Sequence, residues 1–398
     1  MRIGILTFHS QLNYGGILQC WALQTVLEKL GHEAVVIDRW QDSENALLEC
    51  GYDKYGWKDW LKFGMRALFG LGDNRAFMRV RRTKSFMRRR LKLTPYHFVE
   101  WKDAPKDLGV DRLVVGSDQV WHCGDFGDPR VYLLDGAPET PAVAYAASFG
   151  MVGLPDKLGG DAVGAEDLAA EPIYRHGLSR FNAISCRERE GVEICRGLGF
   201  DAFHVVDPTL LAWGKDASKR VEERKNQELV CYFLSERIED CTKMLHDFAR
   251  KNSCRVKVFL GGTWFAPFPS NPSRINCWLK RCKIRFDADV DVVDDAGPEE
   301  FFKAFQNAKW VVSDSFHALM FSVCNGCNVR MIRPASKFRR KMFARIEEFA
   351  AHTKGQLIAD SLVDALDSIG RRESVKFDYD WIELRRRESS AWLQDNLR

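Results

Sequence analysis

The 398-residue sequence predicts an α/β fold in which two domains face each other across a cleft. The first observation is a β-α-β pattern within the first forty residues, with strands at 3–8 and 34–37 around a helix at 17–30. The second is a new series of strand and helix patterns that starts near residue 225, after a polar stretch. Parallel strands need a crossover connection, so this order predicts two parallel sheets in tandem. Ligands of such sheets bind at the carboxyl ends of the strands.

The N-terminal domain is predicted to span residues 1–224. After the β-α-β unit, short apolar runs predict buried strands at 112–116, 143–147 and 183–185. Residues 41–105 are rich in Trp, Lys and Arg and lack clear strand patterns, so a helical insertion is predicted there.

The C-terminal domain is predicted to span residues 225–375, and a charged C-terminal helix is predicted within residues 376–398. Helical spacing of apolar residues occurs at 239–251, at 298–307 and from Phe316 onward. The strands predicted for this domain are 228–234, 256–260, 289–293, 310–312 and, as the last one, 329–332.

Composition narrows the class of protein. The chain has 59 basic and 55 acidic residues, and a formal charge of only +4 argues against a nucleic-acid binder. Among twelve scattered cysteines, only Cys324 and Cys327 are two residues apart, and no second pair completes a zinc site, so packed thiols and no metal are expected. The sequence contains no signal-peptide pattern and no apolar run long enough to span a bilayer, which predicts a cytoplasmic protein.

The segment from Ser313 to His317 is the most informative candidate site. It follows the strand at 310–312 and opens a helix, so a capping side chain, free backbone amides and an imidazole come together. These groups suit an anion, a phosphate above all, and make Ser315 and His317 candidate ligand contacts. The alternative is a capped helix whose histidine only packs against the sheet.

The loop after the first strand carries Asn13 and Gly15, which open the first helix. A glycine at this place permits close approach of a ligand to the backbone. The glycine spacing is that of neither a dinucleotide-binding nor a Walker loop, and a plain turn is the alternative.

A second polar loop follows the strand at 112–116 and contains Ser117, Asp118, Gln119 and Trp121. An indole face beside a carboxylate and an amide suits a sugar ring. The alternative is a capping turn that the tryptophan packs.

Two charged groups follow the strand at 183–185. Arg187 is the first charged side chain beyond the strand, and a guanidinium binds carboxylate or phosphate through two parallel hydrogen bonds. Glu188 comes next, before residues that fit the solvated first turns of a helix.

The densest basic run lies at residues 79–92. A solvated helix face is one interpretation, and contact with anionic lipid head groups or a lipid diphosphate is the other. The run consists of Arg79, Arg81, Arg82, Lys84, Arg88, Arg89, Arg90 and Lys92.

Taken in order, five segments of the chain resemble the polysaccharide pyruvyl transferase family. They cover most of the chain, from the N-terminus to about residue 323. The segments are Gly4–Phe8 with Asn13-Tyr14-Gly15 and Leu18-Gln19, Gly116–Trp121, Tyr145–Gly150, Ser185–Glu188 with Val206–Leu210, and Ser313–His317.

The resemblance implies transfer of the enolpyruvyl group of phosphoenolpyruvate onto a sugar of a cell-surface polysaccharide or its precursor, giving a pyruvate ketal and phosphate. It also implies a fold similar to that of GT-B glycosyltransferases, with two Rossmann-like domains, and no cofactor. By resemblance, His317 and Arg187 contact phosphoenolpyruvate, with Arg345 as a further candidate. Ala318 stands where the family usually has glycine, and its methyl group is expected to narrow the site.

The expected chemistry assigns a role to each candidate. His317 is expected to act as the general acid or, as an imidazolium, to stabilise phosphate. Asp118 or Glu188 is expected to accept the proton of the sugar hydroxyl. The expected partners are phosphoenolpyruvate and a sugar or glycan acceptor, lipid-linked acceptors included, at the inner face of the membrane, with no nucleic acid.

Two alternative functions fit the same fold. One is a glycosyltransferase that uses a nucleotide sugar. In a donor screen, a UDP- or GDP-sugar would then protect the protein and phosphoenolpyruvate would not. The other is a non-catalytic glycan-binding protein, which would bind glycans without releasing phosphate.

Overall fold

The protein is described here by a computed structural model. Most of the predicted insertion, residues 41–74, lies outside the residues that the structure describes. These are residues 1–10, 12–40, 75–122, 128–150, 153–154, 170–215, 217, 227–234, 238–260, 289–335 and 343–398.

Among the described residues, the N-terminal sheet has seven strands: β1 (Arg2–Leu6), β2 (Glu33–Arg39), β3 (Leu93–Phe98), β4 (Arg112–Asp118), β5 (Ala142–Ala147), β6 (Ala183–Cys186) and β7 (Phe203–His204). They are all parallel and lie in the order β3-β2-β1-β4-β5-β6-β7. Strands β4 and β5 are buried along almost their whole length, as expected for a parallel sheet covered by helices.

In the described part of the C-terminal half, the strands are β8 (Glu228–Phe233), β9 (Arg255–Leu260), β10 (Val290–Val293), β11 (Trp310–Ser313), β12 (Asn328–Ile332), β13 (Thr353–Lys354), β14 (Ile358–Ala359) and β15 (Lys376–Phe377). Six of them form a parallel sheet in the order β10-β9-β8-β11-β12-β14. Strands β13 and β15 pair antiparallel. Both large sheets start at a central strand and grow outward first to one side and then to the other, which is the Rossmann arrangement. The predicted α/β fold with two Rossmann-like halves is confirmed.

The α-helices of the described ranges are α1 (Tyr14–Lys29), α2 (Arg75–Arg90), α3 (Ala170–Leu178), α4 (Arg189–Gly197), α5 (Pro208–Trp213), α6 (Ile238–Asn252), α7 (Pro298–Asn307), α8 (Phe316–Asn325), α9 (Ala344–Ala351), α10 (Leu362–Gly370) and α11 (Tyr379–Asn396). Helix α1 follows β1 and helix α8 follows β11, each at the point where the strand order of its sheet reverses. Ligands of doubly wound sheets bind at these switch points. Gly326 ends α8 in the left-handed conformation, with φ of 60°.

Five short strands, β3, β7, β13, β14 and β15, correct the sequence prediction. The section 41–105 was expected to lack strands, but β3 lies within it as an edge strand that tolerates Pro95 and alternates in burial. The strand at 329–332 was expected to be the last one, but β13, β14 and β15 follow it, and β14 pairs with it as a further edge strand. Strand β7 was not predicted. Edge strands of two residues carry no apolar run that a sequence pattern could detect.

The basic helix α2 connects the two halves of the protein. Arg82 donates to the carbonyl oxygen of Asp295 at 2.9 Å and pairs with its carboxylate at 3.1 Å. Arg89 pairs with Glu299 on α7 at 3.0 Å. Because these arginines contact the protein itself, less of the basic run is available for anionic lipids, and the expected membrane contact stays a prediction.

Tyr14 and Arg79 make a second, buried part of this connection. The Tyr14 ring stacks on Phe301 of α7, with centroids 4.3 Å apart, and its hydroxyl donates to the carbonyl oxygen of Ala296 at 3.0 Å. The Arg79 guanidinium lies 4.3 Å from the centre of the Tyr14 ring and donates to the carbonyl oxygen of Leu12. The halves are therefore joined beside the first turn of α1.

The C-terminal helix α11 packs back onto the N-terminal half. Arg386 donates to the carbonyl oxygens of Leu210 and Leu211 at 2.7 and 3.0 Å. The backbone N–H of Val206 donates to the hydroxyl of Ser389 at 2.9 Å. No helix among the described residues is long and apolar enough to cross a membrane.

Arg82→Ala is expected to lower the free energy of unfolding by about 1–2 kcal/mol, because it removes a charged hydrogen bond and an ion pair between the halves. Chemical denaturation measures the change. Arg81→Ala is the matched control, since Arg81 is exposed on the same helix, and is expected to have little effect. Equal losses for the two variants would contradict the role of Arg82.

Candidate functional site

The carboxyl ends of both sheets contribute to one buried cluster of charged side chains. Asp118 ends β4, and Arg187 and Glu188 follow β6. From the other half come His317 in the first turn of α8 and Arg345 on α9. Four of these side chains were predicted from strand ends, and the fold brings them together as the switch-point rule requires.

Asp207 lies at the centre of this cluster and was not among the predicted site residues. Its Oδ2 atom accepts from the Ser117 hydroxyl at 2.9 Å and from Arg187 Nη1 at 3.1 Å. Its Oδ1 atom accepts from the backbone N–H and the hydroxyl of Thr209, which makes Asp207 the N-cap of α5. Burial acts to raise the pKa of Asp207, but His317, Arg187 and the Thr209 hydrogen bonds outweigh it and hold that pKa below its ordinary value.

Arg187 is held by carboxylates on several sides. Besides its bond to Asp207, it has Asp118 at 3.7 Å from Nη2 and Glu188 at 3.9 Å from Nε. Its side chain is 1% exposed, yet Nε and Nη2 make no hydrogen bond. Burial acts to lower the pKa of Arg187, and the three carboxylates together raise it above its ordinary value.

Arg345 approaches the same place from the C-terminal half. Burial and the neighbouring Arg187 lower the pKa of Arg345 to about 10, so the guanidinium stays charged at neutral pH. With its amide oxygen turned toward Arg345, Gln119 accepts from Nη1 and Nη2 at 3.2 and 2.9 Å. Both guanidiniums lie 4.8 Å from the centre of the Phe316 ring, and Arg345 Nε is buried without a partner.

His317 is buried against the first turn of α1. A side chain at Gly15 would overlap the imidazole, since an added Cβ would lie 2.5 Å from its Cγ atom. The Nε2 atom makes no hydrogen bond and lies 3.9 Å from Asp207 Oδ2. Burial lowers the pKa of His317 below its ordinary value despite the opposing effect of Asp118 and Asp207. Burial therefore favours the neutral imidazole in the free protein.

Only one of the two carboxylate oxygens of Glu188 accepts hydrogen bonds from the protein. Its Oε1 atom accepts from the Ser148 hydroxyl at 2.7 Å and from the backbone N–H groups of Phe149 and Gly150 at 2.9 and 3.3 Å. Its Oε2 atom is buried without a hydrogen bond and faces Arg187. The Ser148–Gly150 segment therefore holds the Glu188 carboxylate in place.

The remaining predicted polar residues shape the loops around the cluster. Asn13 caps α1 by accepting from the Gly15 N–H at 3.0 Å. Ser117 donates to Asp207 and so holds the cluster from within. Ser315 is the N-cap residue of α8, but its side chain makes no capping bond, and the serine hydroxyl that accepts from its N–H belongs to Ser313.

Trp121 does not lie in the site. Its side chain is fully buried, its indole N–H donates to the carbonyl oxygen of Tyr132 at 3.2 Å, and its ring packs on Phe149 and Phe181. The expectation of an indole face for a sugar ring is wrong for this residue, and the alternative of a turn packed by the tryptophan describes it.

A small cleft, with a cavity volume of about 20 Å³, adjoins the cluster. Arg187, Asp207 and Arg345 form its inner end, with the Phe316 ring beside them. Sequence patterns missed the outer wall, which is formed by His204, Glu348, Phe349, Trp381 and Arg385. Asp207 had a usable signal, since an aspartate before Pro208 is a typical helix N-cap after a strand.

Cysteines are packed rather than grouped as ligands. Cys324 and Cys327 are buried and donate through Sγ to the carbonyl oxygens of Thr209 and Phe305, at 3.6 and 3.3 Å. Within the ranges that the structure describes, no three His, Cys, Asp or Glu side chains are grouped so as to hold a metal ion.

Comparison with known proteins identifies one sequence family. The family described as polysaccharide pyruvyl transferase matches residues 13–336. No curated protein matches the chain significantly.

Solved structures of low similarity include two UDP-GlcNAc 2-epimerases and one MurG protein. The enzyme from Rickettsia bellii has a TM-score of 0.49 at 10% identity, covering 100% of this chain and 95% of its own. The enzyme from Neisseria meningitidis, bound to UDP-GlcNAc, has 0.48 at 10%, covering 100% and 99%. MurG from Acinetobacter baumannii has 0.44 at 11%, covering 99% and 98%. Similarity at this level has no bearing on the chemistry of this chain.

Gly15→Ala is expected to displace the His317 ring and to lower the free energy of unfolding by about 1–3 kcal/mol through overpacking. Thermal and chemical unfolding measure the loss. Gly197→Ala is the control, because an added Cβ there meets nothing within 4 Å. A Gly15 variant as stable as this control would show that the two helices are not in the close contact described.

Proposed function

The chain belongs to the polysaccharide pyruvyl transferase family, and from this premise we propose that it transfers the enolpyruvyl group of phosphoenolpyruvate to a sugar. The acceptor is a sugar of a cell-surface polysaccharide or its precursor. The products are a pyruvate ketal and phosphate. The donor and the ketal chemistry are the proposed part, and the features of the site described below support them.

One observation carries the proposal of an anionic donor. Four buried nitrogen atoms without a hydrogen bond lie in the cluster, and they are Arg187 Nε and Nη2, Arg345 Nε and His317 Nε2. Buried polar groups are rarely left unpaired, because each one costs about 1–3 kcal/mol. A ligand with a carboxylate and a phosphate would accept from several of these atoms at once.

The helix ends add to the same preference for anions. Helices α1 and α8 both begin at the cluster, where the positive ends of their dipoles lie. Phe316, the first residue of α8, also lies beside both guanidiniums. We propose that Arg187 and Arg345 bind the donor's two acidic groups and that the α8 turn with Ser315 faces the phosphate.

Ketal formation then balances in atoms and charge. A proton adds to the methylene carbon of the donor, and a sugar hydroxyl forms a bond to the central carbon, C2. The C2–O bond to phosphate breaks, and a second hydroxyl of the sugar bonds to C2. Of the two hydroxyl protons released, one balances the new methyl group and the other leaves on phosphate. Preorganised charges around C2 stabilise the oxocarbenium-like state.

We propose His317 as the group that delivers the proton. Its Nε2 atom faces the cluster and is free to bond to the donor. Because burial favours the neutral form of His317 in the free protein, the bound anion must raise its pKa before it can act as an acid. Asp118 and the Oε2 atom of Glu188 are the proposed acceptors of the hydroxyl proton.

The cleft beside the arginine pair is the part of the site that we assign to the acceptor. It leads from the arginine pair to the rings of Phe349 and Trp381, with the carboxylate of Glu348 and the guanidinium of Arg385 beside them. Apolar rings with a few polar groups are typical of small-ligand sites. We propose that the acceptor sugar enters by this cleft, whether it is free, lipid-linked or part of a polymer.

Arg187→Ala is expected to weaken phosphoenolpyruvate binding at least about a hundredfold, because a buried bidentate contact is lost. Arg187→Lys, which keeps the charge without the fork, is expected to bind with intermediate affinity. Calorimetry at neutral pH and low salt measures both. Arg196→Ala, at an exposed position of α4, is the control and is expected to bind normally.

The same calorimetry also distinguishes the proposed function from that of a glycosyltransferase that uses a nucleotide sugar. The proposed donor would be wrong if the wild-type protein bound UDP- or GDP-sugars but not phosphoenolpyruvate, both with and without a glycan present. Thermal unfolding of Arg187→Ala distinguishes a lost contact from a lost fold, since the mutation leaves buried carboxylates without their partner.

The affinity for phosphoenolpyruvate is expected to fall as pH rises, by up to about tenfold per pH unit. The window lies between the depressed pKa of His317 in the free protein and its higher pKa in the complex, because only protonated His317 pairs with the anion. Titrations between about pH 6 and pH 9 check this. His317→Gln is the control for the donor's own ionisation, and an identical pH profile for that variant would exclude His317.

A further inference from the structure

We propose that Asp207 is a positioning residue whose carboxylate supplies the negative partner that allows His317 to take up a proton when the anionic donor binds. The inference rests on the proposed function for its choice of ligand. It concerns a residue that contacts the catalytic side chains and is not itself placed against the substrate.

The two oxygens of Asp207 have separate tasks. Oδ1 accepts both of its hydrogen bonds from Thr209 and so holds the N-terminus of α5. Oδ2 accepts from Ser117 and Arg187 and lies 3.9 Å from His317 Nε2. The side chain is fully buried, so water does not screen its charge. One oxygen therefore anchors the residue, and the other acts on the site.

His317 has few other sources of a counter-charge. Asp118 at the end of β4 favours its charged form more strongly than Asp207 does, whereas Arg187 after β6 and Arg345 on α9 oppose it. The remaining side of the ring packs against the backbone of Gly15 on α1. At 3.9 Å the pair with Asp207 is too long for a hydrogen bond, and a small movement of the ring would close it.

The net charge of the cluster explains why the Asp207–His317 pair matters for donor binding. Two guanidiniums, Arg187 and Arg345, lie among three carboxylates, Asp118, Asp207 and Glu188. With a neutral histidine the cluster has a net charge of minus one, before a donor with a carboxylate and a phosphate enters. A buried site of that charge disfavours a further anion unless a proton accompanies it. His317 beside Asp207 is the place where that proton can be held.

This balance predicts an unusual effect of neutralising Asp207. Asp207→Asn keeps the size of the side chain and its ability to cap a helix, but it removes the charge. A purely structural role predicts weaker donor binding. The proposed role predicts binding that is as tight as wild type or tighter, with less proton uptake, because the anion meets less negative charge.

The first measurement is the titration of His317 in the free protein by NMR, with its signal assigned through His317→Gln. In Asp207→Asn the midpoint is expected to fall by about one pH unit or more, as loss of an opposite charge within 4–6 Å implies. Thr209→Val is the matched control, since it removes a hydrogen bond from Oδ1 and keeps the charge. An unchanged midpoint in Asp207→Asn, or an equal shift in Thr209→Val, would overturn the proposal.

The second measurement is calorimetry with phosphoenolpyruvate in buffers of different ionisation enthalpy, at a pH where the donor is fully ionised. Wild type and Thr209→Val are expected to take up about one proton per donor, and Asp207→Asn less than half of that, without loss of affinity. Affinity lost in Asp207→Asn with proton uptake unchanged would mean a structural role only.

If wild type does not bind the donor, the proposed function fails, and the NMR titration still decides the role of Asp207. If Asp207→Asn does not fold, Asp207→Ser supplies the neutral variant with a capping oxygen.

Discussion

The close contact between helix α1 of one half and His317 of the other depends on a residue without a side chain. Gly15 leaves the room that the imidazole fills, and Tyr14, the residue before it, stacks on Phe301 and donates to the carbonyl oxygen of Ala296. One short turn thus joins the halves and shapes the site between them. The charged cluster is complete only when both sheets are in place, because its residues come from strand ends of each.

Buried charge is the second constraint, and it follows from the first. Arg187 and Asp207 lie beyond the reach of bulk water, so their charges are stabilised by neighbours and not by solvation. The neighbours satisfy the Asp207 carboxylate well and the guanidiniums incompletely, which leaves donor atoms unpaired around the cleft. These unpaired donor atoms are the feature on which the proposed binding of an anion rests. Burial lowers the pKa of His317 and so favours its neutral form in the free protein.

Sequence patterns identified the elements that are long or continuously apolar. Helix α7 was predicted with the bounds that the structure has, and the central strands were located within two residues at each end. Strands β3, β7 and β14 were missed because they lie at sheet edges, where short length, Pro95 and alternating exposure remove the apolar signal. The sequence pattern of the basic run did not show that Arg82 and Arg89 have acidic partners more than two hundred residues away.

By itself, the sequence determined the fold class, the family and the positions of the polar residues at strand ends, because these depend on local periodicity and on short motifs. Only the tertiary structure decided what each of those residues contacts. Trp121 turns into the core, Ser117 binds a carboxylate, and Asp207 becomes the centre of the cluster. The physical reason is that the direction of a side chain at a strand end, and the charge it meets there, are set by sheet register and by the packing of the two halves. The residues adjacent along the chain determine neither the direction of the side chain nor the charge that it meets.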